Sequence, residues 1–414
     1  MPPLLQVDVD AERLKAEIEQ LATFSDTPAP SVTRILFTPT DLAGRAYVKE
    51  LMADAGLSIR EDPAGNIFGR WQGSGEGSIG TGSHCDAIPH AGRFDGTLGV
   101  LGAIAAVRAL RTAGYTPKKS IDVIMFTSEE PTRFGIGCSG SRLMGGAITP
   151  ETLDALRDDN GISFQQARTQ AGYEGDLADV VLAPEQYDHF VELHIEQGPV
   201  LEANRLDIGV VSAIAAPASF TIDFRGKGGH AGAVLMPDRE DALIPAGILI
   251  AAAEKLARDS ASDDSVATVG IVQVAPGAVN SIPRHVHLAF DVRDTNLEIR
   301  ESIISELQRI AHSEADARGL SCEVNTINSD PPVTTDARVC NVVADAATAY
   351  GLGHQPMVSR AYHDSLFIAR KVPTGMIFVP SAAGISHRPD EYTSAEEMAN
   401  GTAVLATTLA ELAL

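Results

Sequence analysis

The 414-residue chain is short of cysteine and of basic charge. Its four cysteines, Cys85, Cys138, Cys322 and Cys340, lie without paired spacing, which argues against both a disulfide framework and a Cys-x-x-Cys zinc site. Reduced thiols fit a cytoplasmic protein. With 32 Lys and Arg against 55 Asp and Glu the formal charge is -23. A negative field of that size disfavours nucleic acid and anionic membranes as partners, and a small anionic substrate would need a local cationic pocket. No apolar run reaches the roughly 18 residues of a membrane span. The opening Met-Pro-Pro-Leu-Leu-Gln lacks the basic stretch and apolar run of a signal peptide. No internal repeat or low-complexity tract is found.

What remains is ordinary globular composition, 44% hydrophobic and 21% charged, in a chain long enough for two domains. Leu14, Ile18 and Leu21 recur at helical spacing and predict an amphipathic surface helix. Residues 78–83, 121–127 and 190–195 read as inner strands, and 98–113 as a buried helix stopped by Gly114 and Pro117. Strands separated by helices predict an α/β domain with a mixed, largely parallel sheet, whose functional residues gather at the strand ends. After Ser212 the texture changes. Phe220, Ile222 and Phe224, then Val286, Leu288, Phe290 and Val292, alternate as half-buried strands do. With helices over 241–258 and 297–317 and strands over 266–274 and 321–325, the order is βαββαβ. The expectation is an inserted α+β lid over 213–328 that splits a catalytic domain into 1–212 and 329–414, with Asp330-Pro331-Pro332 marking the return.

Four clusters, the first made of two segments, carry the chemistry. Gly82-Ser83-His84-Cys85-Asp86 and Gly92-Arg93-Phe94-Asp95-Gly96 offer a histidine with an acid two residues on, then an aspartate between tight turns. Ser128-Glu129-Glu130 follows an inner strand. Adjacent acids there are costly to bury unpaired, and because they point different ways, one can ligate a metal while the other acts as a base. His194-Ile195-Glu196-Gln197 and Ser386-His387-Arg388-Pro389 again follow apolar runs. Each motif alone also fits a hydrogen-bonded loop residue. Together, His84, Asp95, Glu130, His194 and His387 converge on one rim of an open sheet, as a two-metal hydrolytic site requires.

From about residue 15 to its end the chain resembles the M20 metallohydrolases, in the amidase/carbamoylase branch that contains N-carbamoyl-L-amino-acid hydrolases, allantoate amidohydrolases, β-ureidopropionases and ureidoglycolate amidohydrolases. That resemblance implies two divalent ions, manganese with zinc, cobalt or nickel as alternatives. His84, Asp95 and His194 would hold one, and Asp95, Glu130 and His387 the other. Asp86 would orient His84 and Glu129 would be the base. A cis peptide between Asp95 and Gly96 is also implied. In Gly228-Gly229-His230-Ala231-Gly232, His230 would reach the partner's active site in a homodimer formed through the lid. Asn280 and Arg293 would hold the substrate carboxylate, with Gln197 and His363 also at the substrate. Ser359-Arg360-Ala361-Tyr362-His363-Asp364 places Tyr362 where the branch has glycine, which resembles the ureidoglycolate-cleaving members, and its phenol would meet a small substrate carrying a hydroxyl. Conversion of ureidoglycolate to glyoxylate, carbon dioxide and ammonia is then the expected activity. N-carbamoyl-L-amino-acid or allantoate hydrolysis, a peptidase, and a non-hydrolytic binding homologue stand as alternatives.

Overall fold

The computed structural model describes residues 4–414. These form two compact units, one made of the segments up to Ser212, Thr335–Ser359 and His363–Leu414, the other of Ala213–Thr334 with Arg360–Tyr362.

The first unit is built on a mixed sheet. Its centre is four parallel strands in the order Thr374–Val379, His189–Ile195, Ser78–His84, Ser120–Phe126. All four are buried along their whole length, as strands covered on both faces must be. Antiparallel strands flank them: Ile67–Trp71 and Ser58–Glu61 on one side, Ile208–Ile214 on the other. The pattern Ser-Ile-Arg-Glu at 58–61 is exposed throughout and carries no alternation, so periodicity does not reveal it. The helix Thr97–Thr112 packs on the central strands through its small residues. A Cβ on Gly99 would meet the Leu193 carbonyl at 2.4 Å, so only glycine permits this approach. Ala395–Leu412 covers the same layer, started by a capping box between Ser394 and Glu397. Leu14, Ile18 and Leu21 form the buried face of Ala11–Ala22. Among the described residues no helix is long and apolar enough to cross a membrane.

Register fixes where the chemistry falls. His84 pairs with Phe126 and His194 with Phe378, which aligns the C-terminal ends of the central strands. The loops carrying Glu129, Glu130 and His387 leave from the same edge, where open α/β sheets bind ligands.

In the second unit, strands Val266–Ala275, His285–Asp294, Ala216–Arg225 and Ser321–Ser329 form an antiparallel sheet in that order. Helices Leu243–Arg258 and Leu297–Asp316 complete a βαββαβ succession. The alternating apolar residues build its core, with the Phe220 and Phe290 rings stacked 4.8 Å apart between centroids. On the other sheet face Asp223 accepts hydrogen bonds from both His285 and His287.

Candidate metal centre

Three histidines and a carboxylate meet at the strand ends. Asp95 is divided between two sets of groups. Its Oδ1 lies 3.2 Å from His194 Nε2 and 3.5 Å from His84 Nε2, whereas its Oδ2 lies 3.2 Å from His387 Nε2. His387 Nε2 is in turn 3.6 Å from Glu130 Oε1. Among the described residues, His84, Asp95 and His194 form one group whose ligand atoms lie within 4.8 Å of one another, and Asp95, Glu130 and His387 form another. A third such group, Glu192 with His194 and His363, has a different character. Glu192 accepts from Ser83 Oγ, Ser365 N and Ser365 Oγ, so its carboxylate is already satisfied as buried scaffold.

The charge balance points to cations. Burial, and then the neighbouring Glu130 and Asp95 against the opposing pull of His84, push the Glu129 carboxyl up to about 8. Glu130 is raised well above the usual carboxylate range, first by burial and then by Asp95. Burial would raise Asp95 too, but the three imidazoles hold it well below that range. The Asp95 contact raises His387, and His84 is raised well above its usual value because Glu129, Asp86 and Asp95 outweigh its burial. The raised carboxyls and imidazoles thus mark a buried cluster of negative charge that calls for positive charge beside it. Imidazole and carboxylate donors suit divalent transition ions, so the residues present fit the two ions that the resemblance implies. One hydrogen bond competes: Gly96 N–H donates to His194 Nε2 at 3.1 Å, the lone pair an ion would take.

One expectation is overturned, and the other expected residues are placed by their contacts. The Asp95–Gly96 peptide is trans; among the described residues the cis bonds are Ala29–Pro30 and Ala275–Pro276. The bend is made instead by Gly96 at φ 61° and ψ -43°, a tight turn closed by Thr97 N–H to the Asp95 carbonyl at 2.5 Å. A side chain there would strike the His84 imidazole at 2.3 Å. Asp86 meets His84 Nδ1 through its backbone carbonyl at 3.1 Å, with its carboxylate at 3.6 Å. That carboxylate accepts instead from the backbone N–H groups of Glu129 and Glu130. Gln197, expected at the substrate, donates to Asp95 Oδ2 at 2.7 Å, while its Oε1 is buried without a partner. His363 is buried beside His194, ring centroids 4.5 Å apart, with Nε2 unpartnered. Burial, then His194, holds its pKa well below the ordinary value, so it is a neutral ring.

The remaining candidates belong to the second unit. A short antiparallel pairing of Gly229–His230 with Ser281–Ile282 brings His230 beside Asn280, whose carbonyl accepts from Ala231 N–H. His230 is exposed, and its Nδ1 accepts from Gly232 N–H, which leaves the proton of a neutral ring on Nε2. The fork of Arg293 holds Asp291 through Nε and Nη2 and the Arg360 carbonyl through Nη1. Tyr362 was expected to offer a phenol to substrate, but its hydroxyl accepts from Asn328 and donates to Asp330. Two neighbours of the centre escaped the sequence reading. Cys138 Sγ lies 3.5 Å from Glu129 Oε1, and Glu391 accepts from the Phe94 and Asp95 amides. The only trace of Glu391 in the sequence is an acid four places after His387.

The family model described as Peptidase family M20/M25/M40 matches residues 80–411. Ureidoglycolate hydrolase from Arabidopsis thaliana is 51% identical, across 99% of this chain and 88% of its own length. The chain belongs to the M20 family. A crystal structure of AtUAH in complex with glyoxylate matches with a TM-score of 0.86 at 50% identity, covering 99% of each chain. N-carbamoyl-L-amino-acid amidohydrolase from Paenarthrobacter aurescens is 37% identical over 95% of this chain and 96% of its own. With amidohydrolases as its M20 relatives, this chain is an amidohydrolase.

Proposed function

We propose that this M20 enzyme uses two divalent ions, most suitably manganese, to hydrolyse the ureido C–N bond of ureidoglycolate. What supports this most is the division of the Asp95 oxygens between two ligand sets, with the Glu129 carboxylate beside them and in neither set. His84, Asp95 and His194 would hold one ion, and Asp95, Glu130 and His387 the other. When bound, such ions acidify water and polarise a carbonyl oxygen.

Glu129 takes a proton from the attacking water onto its carboxylate and returns it to the departing nitrogen. Water adds at the ureido carbon and ammonia leaves. The carbamate that remains loses carbon dioxide, and the resulting 2-hydroxyglycine expels a second ammonia to give glyoxylate. Gln197 Oε1 and His363 Nε2, both buried without partners, supply an acceptor and a second polar contact for the ureido group. Asn280 and Arg293 hold the substrate carboxylate, Arg293 exchanging Asp291 for it. The cysteines, all free, suit a cytoplasmic enzyme.

A panel of ureidoglycolate, allantoate, N-carbamoyl amino acids and dipeptides, assayed with manganese, tests the substrate. The highest kcat/KM is expected for ureidoglycolate, and preference for any other member would overturn that assignment.

The lid is proposed to form a two-fold homodimer in which each His230 serves the partner's site as the donor to the scissile carbonyl, a role suited to its exposed Nε2–H. His230→Ala should lower kcat by about 10²–10³ with metal content unchanged. Mixing inactive His230→Ala with inactive Glu129→Gln creates hybrids having one intact site, so activity should return on subunit exchange. A mixture that stays dead, with hybrids seen by native mass spectrometry, means that His230 serves its own subunit.

A further inference from the structure

We propose that Glu391 is a positioning residue that, through Ser386 and the Asp95 loop, sets the carboxylate shared between the two ligand groups. Glu391 is buried, 4% exposed, in the turn that follows His387. One carboxylate oxygen, Oε1, accepts from Phe94 N–H at 2.8 Å and Asp95 N–H at 3.1 Å, fixing the backbone immediately before the Gly96 bend. The other, Oε2, lies 2.9 Å from Ser386 Oγ, which lies 2.8 Å from Asp95 Oδ2. Glu391 therefore holds Asp95 directly through the Asp95 main chain, and its side chain shares Ser386 with the Asp95 carboxylate, the single hydroxyl hydrogen reaching one carboxylate at a time. Ser386 adjoins His387, so the clamp ties the loop bearing Asp95 to the loop bearing His387.

The backbone is fitted to this carboxyl group. A Cβ on Gly92 would lie 2.4 Å from Glu391 Oε1 and Cβ, so the chain passes the acid at a distance that only glycine allows. Gln197 Nε2 completes the hold on Oδ2 from the opposite loop, at 2.7 Å. Gln197 and Ser386 thus restrain Oδ2, with Oδ1 directed at His84 and His194. Partners of this kind that orient ligating groups govern metal affinity as well as rate.

The inference rests on the reading that Asp95 is shared by two ions. Its test uses the full-length protein, stripped and then titrated with Mn2+ against a chromophoric chelator. Glu391→Ala frees two amides and Ser386, and should weaken Mn2+ binding by about 10- to 100-fold, with kcat falling more than KM rises. Glu391→Gln keeps an acceptor for both amides, and its Nε2 can donate to Ser386 Oγ, leaving the serine hydrogen for Asp95. It should restore affinity and most of kcat. A merely structural role would lower the unfolding midpoint of the metal-free protein without a selective loss of Mn2+ affinity. Should Glu391→Ala not fold, Ser386→Ala leaves the amides held and should still weaken binding by about 10-fold. Unchanged Mn2+ affinity in both alanine variants, or a Gln variant as impaired as the Ala variant, would overturn the clamp. Asp95→Ala measured alongside separates the two levels. Loss of both ions there with normal binding in the Glu391 and Ser386 variants sinks the clamp alone, whereas two ions retained in Asp95→Ala sink the shared-ligand reading and the clamp with it.

Discussion

Replacing Glu129 with glutamine is expected to lower kcat on ureidoglycolate by about 10²–10⁴, the range for removing a positioned general base, while metal content by plasma mass spectrometry stays at the wild-type level. The side chain keeps its volume and its place: Oε2 sits 3.6 Å from His84 Nε2, and Oε1 faces the Cys138 thiol. Only the capacity to take a proton is lost. Without ions, burial and then the adjacent acids, against His84, push this carboxyl up to about 8. Bound cations favour its charged form and bring it lower, so activity should fall as pH drops through that lowered value. Glu129→Gln should abolish this limb of the kcat/KM profile along with the rate. A variant that turned over normally would remove Glu129 from the role of base.

The second large effect is on Asp95. Asp95→Ala should empty both metal positions and reduce turnover to background, because each of the two groups loses the carboxylate they share. Glu130→Gln should remove one ion only, since Glu130 belongs to one group. The contrast is the informative part: if the Asp95 variant lost a single ion, the carboxylate would not be shared. An unchanged circular dichroism spectrum would show that the fold survives.

How much of this was legible in the sequence depends on the range of the interactions. His84, Glu130 and His194 stand at or just beyond the ends of apolar runs, and the β period together with the α/β pattern is enough to bring such positions to one rim. The βαββαβ succession was legible for the same reason, as Phe220, Ile222 and Phe224 alternate cleanly with partly exposed residues. Glu391 was not. It lies between Pro389 and the helix cap Ser394, where there is no periodicity to read, and its partner Phe94 is 297 residues away. The Asp95–Gly96 peptide was also misjudged. Family likeness suggested a cis bond, whereas glycine at positive φ makes the bend with the peptide trans. Tyr362 shows a further limit: a phenol in place of glycine suggested a ligand contact, but a residue type does not say which neighbours, here Asn328 and Asp330, will claim its hydroxyl.

The most direct test is a manganese titration of rigorously metal-stripped enzyme, followed by ammonia release from ureidoglycolate. If Asp95 is shared by two cations, there should be no turnover at zero metal and a rise that reaches its plateau at two equivalents per chain. Full ammonia release from verified metal-free protein, or a plateau at one equivalent, would contradict a two-ion ureidoglycolate hydrolase.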